Sequence, residues 1–122
     1  MILGLGADLV RVARLKAALI RHPRLRQRLF THGELAQCLA AADPYPKLGA
    51  RFAAKEAFLK ALGTGWSEGI SWTDVEVVGG GGSAPALALH GRAAELAANR
   101  GVLTHHLSLS HDGDYAFAVC TL

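Results

Sequence analysis

No run of 18 apolar residues occurs anywhere in this 122-residue chain, so a membrane-spanning helix of ordinary length is not expected. The apolar start, Met1 to Val10, lacks a basic leader and a cleavage site and meets an acid at Asp8, so it does not read as a signal peptide. Cysteine is scarce. Cys38 and Cys120 have neither metal-ligand spacing nor the density of a disulfide framework, and they read as buried thiols in a reducing, cytoplasmic setting. Phosphate-loop signatures are missing too. Gly79 to Gly82 are not followed by Lys-Ser/Thr, and Gly4-Leu5-Gly6 lacks the third glycine of a dinucleotide fingerprint. Acids are absent from Leu9 to Gly33. That stretch carries Arg11, Arg14, Lys16, Arg21, Arg24, Arg26 and Arg28, over half of the chain's 13 Lys and Arg. So one-sided a patch attracts something acidic: nucleic acid, an anionic membrane or an acidic protein.

What is present is a single domain's length, 1–122, with 51% hydrophobic residues, a mean hydropathy of +0.23 and a net charge of +3. That is apolar for a small monomer and predicts a subunit contact. Met1 to Val10 reads as a buried strand, and Arg11 to Arg21 as a helix with Val12, Leu15 and Leu19 on its inner face, broken by Pro23. Thr31 and Glu34 are spaced as a capping box for a helix over Leu35 to Ala42. After a loop at Asp43 to Pro46, a long helix runs from about Lys47 to Leu62 and is closed by Gly63 and Gly65. Ile70 to Val78 and Ala86 to His90 read as a hairpin around Gly79 to Pro85. A short helix follows over Gly91 to Arg100, then two strands, Leu103 to Ser110 and Tyr115 to Leu122. The expected fold is α+β: a single compact domain, mostly antiparallel sheet packed around a long buried helix.

That long helix is unusual. Leu48, Phe52, Leu59 and Leu62 line one side and Ala53, Ala54, Ala57 and Ala61 most of the other, the pattern of a buried helix. Yet it carries Arg51, Lys55, Glu56 and Lys60, and charge on a buried helix needs a partner or a ligand. Glu56 and Lys60 at i and i+4 fit a structural ion pair. Alternatively, Arg51, Lys55 and Lys60 meet phosphates while Glu56 holds a cation. Asp8, in an otherwise apolar strand, either caps the next helix or binds the same cation. Two isolated carboxylates beside a basic cluster suit magnesium, which takes one or two carboxylates and completes its shell with phosphate and water; zinc and calcium want more protein ligands. His111 either donates to a phosphate oxygen or is a turn residue facing solvent; His22, His32, His90, His105 and His106 read as surface or strand residues.

Three segments, GLGADLV at Gly4 to Val10, RFAAKEAFLKALGTG at Arg51 to Gly65 and LSLSHDGDYAFAV at Leu107 to Val119, resemble in order those of the holo-acyl-carrier-protein synthases, the short phosphopantetheinyl transferases. Trp72 to Val77 is also similar to that family, so the resemblance spans the chain. It implies the 4'-phosphopantetheinyl transferase fold and transfer of 4'-phosphopantetheine from coenzyme A to a serine of acyl carrier protein, in fatty acid biosynthesis. It implies catalysis by Asp8, Glu56 and Lys60, with Mg2+ on Asp8 and Glu56. Coenzyme A would be lined by Arg51, Lys55, Lys60, Gly63, Pro85, Ser110 and His111, and the carrier protein docked by Arg14, Arg21 and Arg24. It also implies a homotrimer with sites at subunit interfaces. The chain departs from the family at Arg11, where an acid is common, and at Ser83-Ala84-Pro85, where Gly-Lys-Pro is common. Polyketide or peptide synthase carriers are alternative substrates, and a non-catalytic coenzyme A or nucleotide-binding module is a different class. A nucleic-acid-binding domain explains the basic stretch but neither acid, and the stretch has little aromatic interleaving.

Overall fold

The computed structural model describes residues 1–122. The chain forms β1 (Leu5–Arg11), α1 (Val12–Arg21), α2 (Leu25–Leu29), α3 (His32–Leu39), α4 (Tyr45–Leu62) and a 3-10 turn at Trp72–Asp74. It continues through β2 (Val75–Val78), β3 (Ala86–Leu89), α5 (Gly91–Asn99), β4 (His106–Asp112) and β5 (Tyr115–Thr121). One sheet has the order β1-β5-β4 and the other pairs β2 with β3, and every pairing is antiparallel. The α+β expectation holds. No helix is long and apolar enough to cross a membrane.

Helix α4 is the axis of the domain and packs chiefly on β1 and β5. The contact is made of small residues on both sides. Ala53, Ala54 and Ala57 of the helix and Ala116, Ala118 and Cys120 of β5 are fully buried. On the β1 side the approach is closer still: a Cβ added at Gly6 would stand 1.9 Å from the carbonyl oxygen of Ala57, and one at Gly4 2.0 Å from that of Ala61. No side chain fits there, which is why glycine interrupts an otherwise apolar strand. The other side of α4 meets Leu19, Leu29, Phe30 and the β2–β3 hairpin in one apolar core.

The helix signals read from the sequence mostly hold. Thr31 and Glu34 form the capping box, and α3 begins at His32. Gly63 closes α4 in the left-handed region at φ +81°. Three strand expectations change, one of them the strand expected over Leu103 to Ser110, which runs from His106 to Asp112. The strand expected from Ile70 starts only at Val75, because Ser71 and Asp74 form a reciprocal cap that winds Trp72–Asp74 into a turn. The first strand starts at Leu5, leaving Met1 to Leu3 exposed, and in the single chain it is buried on one face only. Its outer face shows Leu5 at 65% and Leu9 at 61% exposure, beside Phe117 of β5. Helix α2 is five residues long, too short for periodicity to mark.

Candidate active site

Strand alternation puts Gly4, Gly6 and Asp8 on the face of β1 that meets α4. Because the two glycines let the backbones nearly touch, Asp8 reaches the last turns of the helix. Lys60 Nζ donates to Asp8 Oδ1 at 2.9 Å and to the Ala7 carbonyl at 3.0 Å. The i to i+4 ion pair between Glu56 and Lys60 therefore does not form, and Asp8 caps no helix: the residue at the start of α1 is Arg11, which makes no side-chain cap.

Glu56 is half-buried beside this pair. Burial pushes its carboxyl above the usual glutamate range, and the neighbouring Asp8 pushes it in the same direction. Trp66 and Lys60 partly offset this by favouring the charged form. The buried Trp66 indole N–H lies close to that carboxylate but has no hydrogen-bond partner of good geometry. Two carboxylates near enough to repel, with one lysine between strand and helix, form a place where a small hard cation lowers the energy. Nowhere do three His, Cys, Asp or Glu side chains cluster as a richer metal site would require.

Asp8 stands at the end of a groove of about 510 Å³ floored by apolar side chains, including Leu15, Leu25, Phe52 and Trp72, and edged by Arg11, Arg14 and Arg28. Arg24 shares the neighbouring hollow with Arg28, and Arg21 lies beside Arg24 around Pro23. Reading the sequence had singled out Arg14, Arg21 and Arg24. It missed Arg28 of α2, Phe52 of α4 and Trp72 of the 3-10 turn, which line the same groove as Asp8.

Arg51, Pro85 and His111 meet elsewhere. With Gln37, Lys47 and Ser83 they line a separate cleft of about 240 Å³. Arg51 is 5% exposed, reaches the Gly79 carbonyl with Nη2 at 3.5 Å, and leaves its buried Nε unpaired. His111 lies on β4, two strands across from β1 and two residues out of register with Asp8, on the order of 10 Å away. Within one chain the two groups of residues do not share a cavity. Ser110 is exposed on the opposite face of the sheet from His111 and joins neither cavity. Gly63, just past α4, is exposed, about one turn beyond Lys60 and two beyond Glu56.

Lys55 requires correction. It is fully buried, not open to a phosphate. Its ammonium donates to Glu34 Oε1 at 2.8 Å, to the Trp72 carbonyl at 3.0 Å and to the Val75 carbonyl. All three protons are used.

A buried helix thus presents an acid and a lysine to a second acid, beside a groove edged by arginines. Residues 4–120 match the model of the 4'-phosphopantetheinyl transferase superfamily, and the chain belongs to that family. Within it, the chain falls among the holo-acyl-carrier-protein synthases. It is 53% identical over 116 residues to the holo-[acyl-carrier-protein] synthase of Syntrophotalea carbinolica, covering 94% of this chain and 91% of that one. The holo-[acyl-carrier-protein] synthase structure from Neisseria meningitidis superposes with a TM-score of 0.89 at 29% identity, covering 99% and 98% of the two chains. The Chronobacterium ammoniagenes ACPS-CoA complex does so at 0.84 and 32%, covering 97% and 94%.

Proposed function

We infer that this protein transfers 4'-phosphopantetheine from coenzyme A to a serine of apo-acyl carrier protein, releasing 3',5'-ADP and serving fatty acid synthesis. The observation that carries the reading is the meeting of Asp8, Glu56 and Lys60 where β1 lies on α4.

Asp8 and Glu56 are the residues that would hold Mg2+. The donor set fits, since two carboxylates leave the remaining positions to water and the diphosphate of the substrate. When bound, the ion supplies charge withdrawal from that diphosphate. The chain's own part is orientation and charge. The attacking serine hydroxyl displaces 3',5'-ADP at the β-phosphorus, and its proton passes to a carboxylate of the pair or to water held there. Lys60, half exposed at the helix edge, stabilises the negative charge that grows on the bridging oxygen as that bond breaks. No side-chain nucleophile is required, and no Ser or Cys stands in the site.

The arginine-edged groove beside Asp8 supports docking of an acidic carrier through Arg14, with Arg21, Arg24 and Arg28 behind it. The cleft of Arg51, Pro85 and His111 supports binding of another part of coenzyme A: it offers a buried arginine with a free donor. Its separation from Asp8 is the argument for a homotrimer with sites at subunit interfaces. One copy would contribute the β1 edge and its neighbour the β4 edge. The exposed Leu5, Leu9 and Phe117 on the outer sheet face are the apolar surface such a contact would cover.

The test is intact-mass spectrometry of an apo acyl carrier protein incubated with this protein, coenzyme A and magnesium. A gain of one phosphopantetheine, lost with EDTA, is the expected result. No gain with several carriers, while coenzyme A still binds, would point to a binding module instead.

A further inference from the structure

The proposed reaction leaves a fully buried ion pair, Glu34 with Lys55, the residue before Glu56, without a role. Glu34 accepts from the backbone N–H of Thr31 and of Val77, both at 2.9 Å, in addition to Lys55. Helix α3, helix α4 and the Trp72–Val77 segment are thus tied at one point. Such a pair is a weak source of net stability, because removing two charges from water offsets most of their attraction. What it does supply is a single arrangement: three acceptors fix where the ammonium stands, and so fix the rotation of α4 at the residue before Glu56.

The tie continues toward the site. The Trp72 carbonyl is held by Lys55. The Trp72 ring lies 3.6 Å, centroid to centroid, from Trp66 and stacks on Phe52 at 4.9 Å. Trp66, whose buried indole N–H has no hydrogen-bond partner, in turn favours the charged form of the Glu56 carboxyl. We propose that Glu34 and Lys55 are positioning residues, whose ion pair anchors Trp72 and, through the tilted Trp72–Trp66 contact, holds the wall beside Glu56. The inference rests on the reading of Glu56 as part of the reaction site.

Two variants test it: Glu34→Gln alone, and the double variant Glu34→Gln/Lys55→Met, which removes both charges at nearly constant volume. Thermal melts establish that each folds. The readouts are the kcat and KM of carrier modification and the circular dichroism of the coupled Trp66–Trp72 pair. In the double variant the coupled signal is expected to collapse. Its kcat should fall about 10- to 100-fold, the scale of an ångström-level misplacement, while KM for coenzyme A stays within about twofold. Glu34→Gln keeps one acceptor oxygen but sets an amide NH2 against a donor and leaves the Lys55 ammonium without its counter-charge, so it should lose kcat and the coupled signal together. Full kcat in a folded double variant would overturn the proposal. So would loss of kcat with the tryptophan signal intact, or failure of both variants to fold, since the pair would then serve the fold alone. A wild-type chain that modifies no carrier would sink the proposed function instead, and the tryptophan signal would still report on the linkage.

Discussion

Lys60 Nζ sits 2.9 Å from Asp8 Oδ1, so the lysine of the central helix is paired across to the first strand and not along its own helix to Glu56. The consequence is that Asp8 and Glu56 share one cation between them, and one acid is always under-compensated. Substituting either acid should therefore remove the proposed metal site as a unit. Asp8→Ala and Glu56→Ala are each expected to abolish transfer in the intact-mass assay. Lys60→Ala should retain metal dependence but lose roughly 100- to 1000-fold in kcat, the scale for removing one charge-stabilising donor. Near-normal turnover of Glu56→Ala with magnesium present would overturn the assignment.

The under-compensated acid should be visible in stability. Burial and then Asp8 raise the Glu56 carboxyl above its ordinary value. An acid whose folded pKa is raised binds protons more readily in the folded state. Its contribution therefore favours folding at low pH and is lost as pH rises through the raised value. At neutral pH the charged Glu56 is a liability that a cation relieves. Magnesium at ten times its dissociation constant should stabilise the wild type by roughly 1.4 kcal/mol, with a smaller effect below the folded pKa of Glu56. Glu56→Gln should melt higher than wild type without metal and show no magnesium shift. An equal shift in both, followed by differential scanning fluorimetry across pH, would remove Glu56 from the metal site.

The contact that makes this geometry possible is glycine on carbonyl. With only 1.9 Å available at Gly6, a methyl group must push β1 off α4. Gly6→Ala is expected to destabilise by about 3 kcal/mol, the upper range for overpacking. It should also cut activity beyond the loss of folded protein, because Asp8 rides on the displaced strand. Urea denaturation with activity measured on the folded fraction separates the two effects. A variant of native stability would mean that the strand has room to move.

Much of this was legible in the residues, and the reasons are local. Thr31 with Glu34, Gly63 after Leu62, and the helical spacing of Val12, Leu15 and Leu19 are short-range signals, and the fold obeys them. Asp8, Glu56 and Lys60 were legible as charges that an apolar strand and helix had to justify. Lys55 was misread for the same reason: a buried charge announces a partner without naming it, and its partner, Glu34, lies 21 residues away on another helix. Arg28, Phe52 and Trp72 were missed because they come from three separate elements, α2, α4 and the 3-10 turn, which meet at the groove only in the folded chain.

The groove makes a separable prediction about the carrier. Arg14 and Arg28 edge it while Asp8 lies at its end. Arg14→Ala and Arg28→Ala are expected to raise KM for the carrier several-fold, and Arg14→Glu about tenfold or more through like-charge repulsion. The KM for coenzyme A should be unchanged. The wild-type rate at low carrier concentration should fall as salt rises, because exposed charges are screened beyond about 10 Å at 0.1 M. A rate indifferent to ionic strength would count against electrostatic docking of an acidic carrier.

The separation of the two cavities carries the last prediction. If Asp8 of one copy works with His111 of the next, two inactive variants should rescue each other. In a homotrimer assembled at random from equal amounts of Asp8→Ala and His111→Ala chains, each interface draws one edge from each of two copies. A site with both native residues then arises at about one interface in four, so co-expressed variants should recover roughly a quarter of wild-type activity. Each variant alone should be inactive or severely slowed. A chain that completed its own site would give no rescue at any mixing ratio. Sedimentation of the wild type provides the independent check: a clean monomer at micromolar concentration would leave Leu5, Leu9 and Phe117 uncovered and remove the basis for sharing.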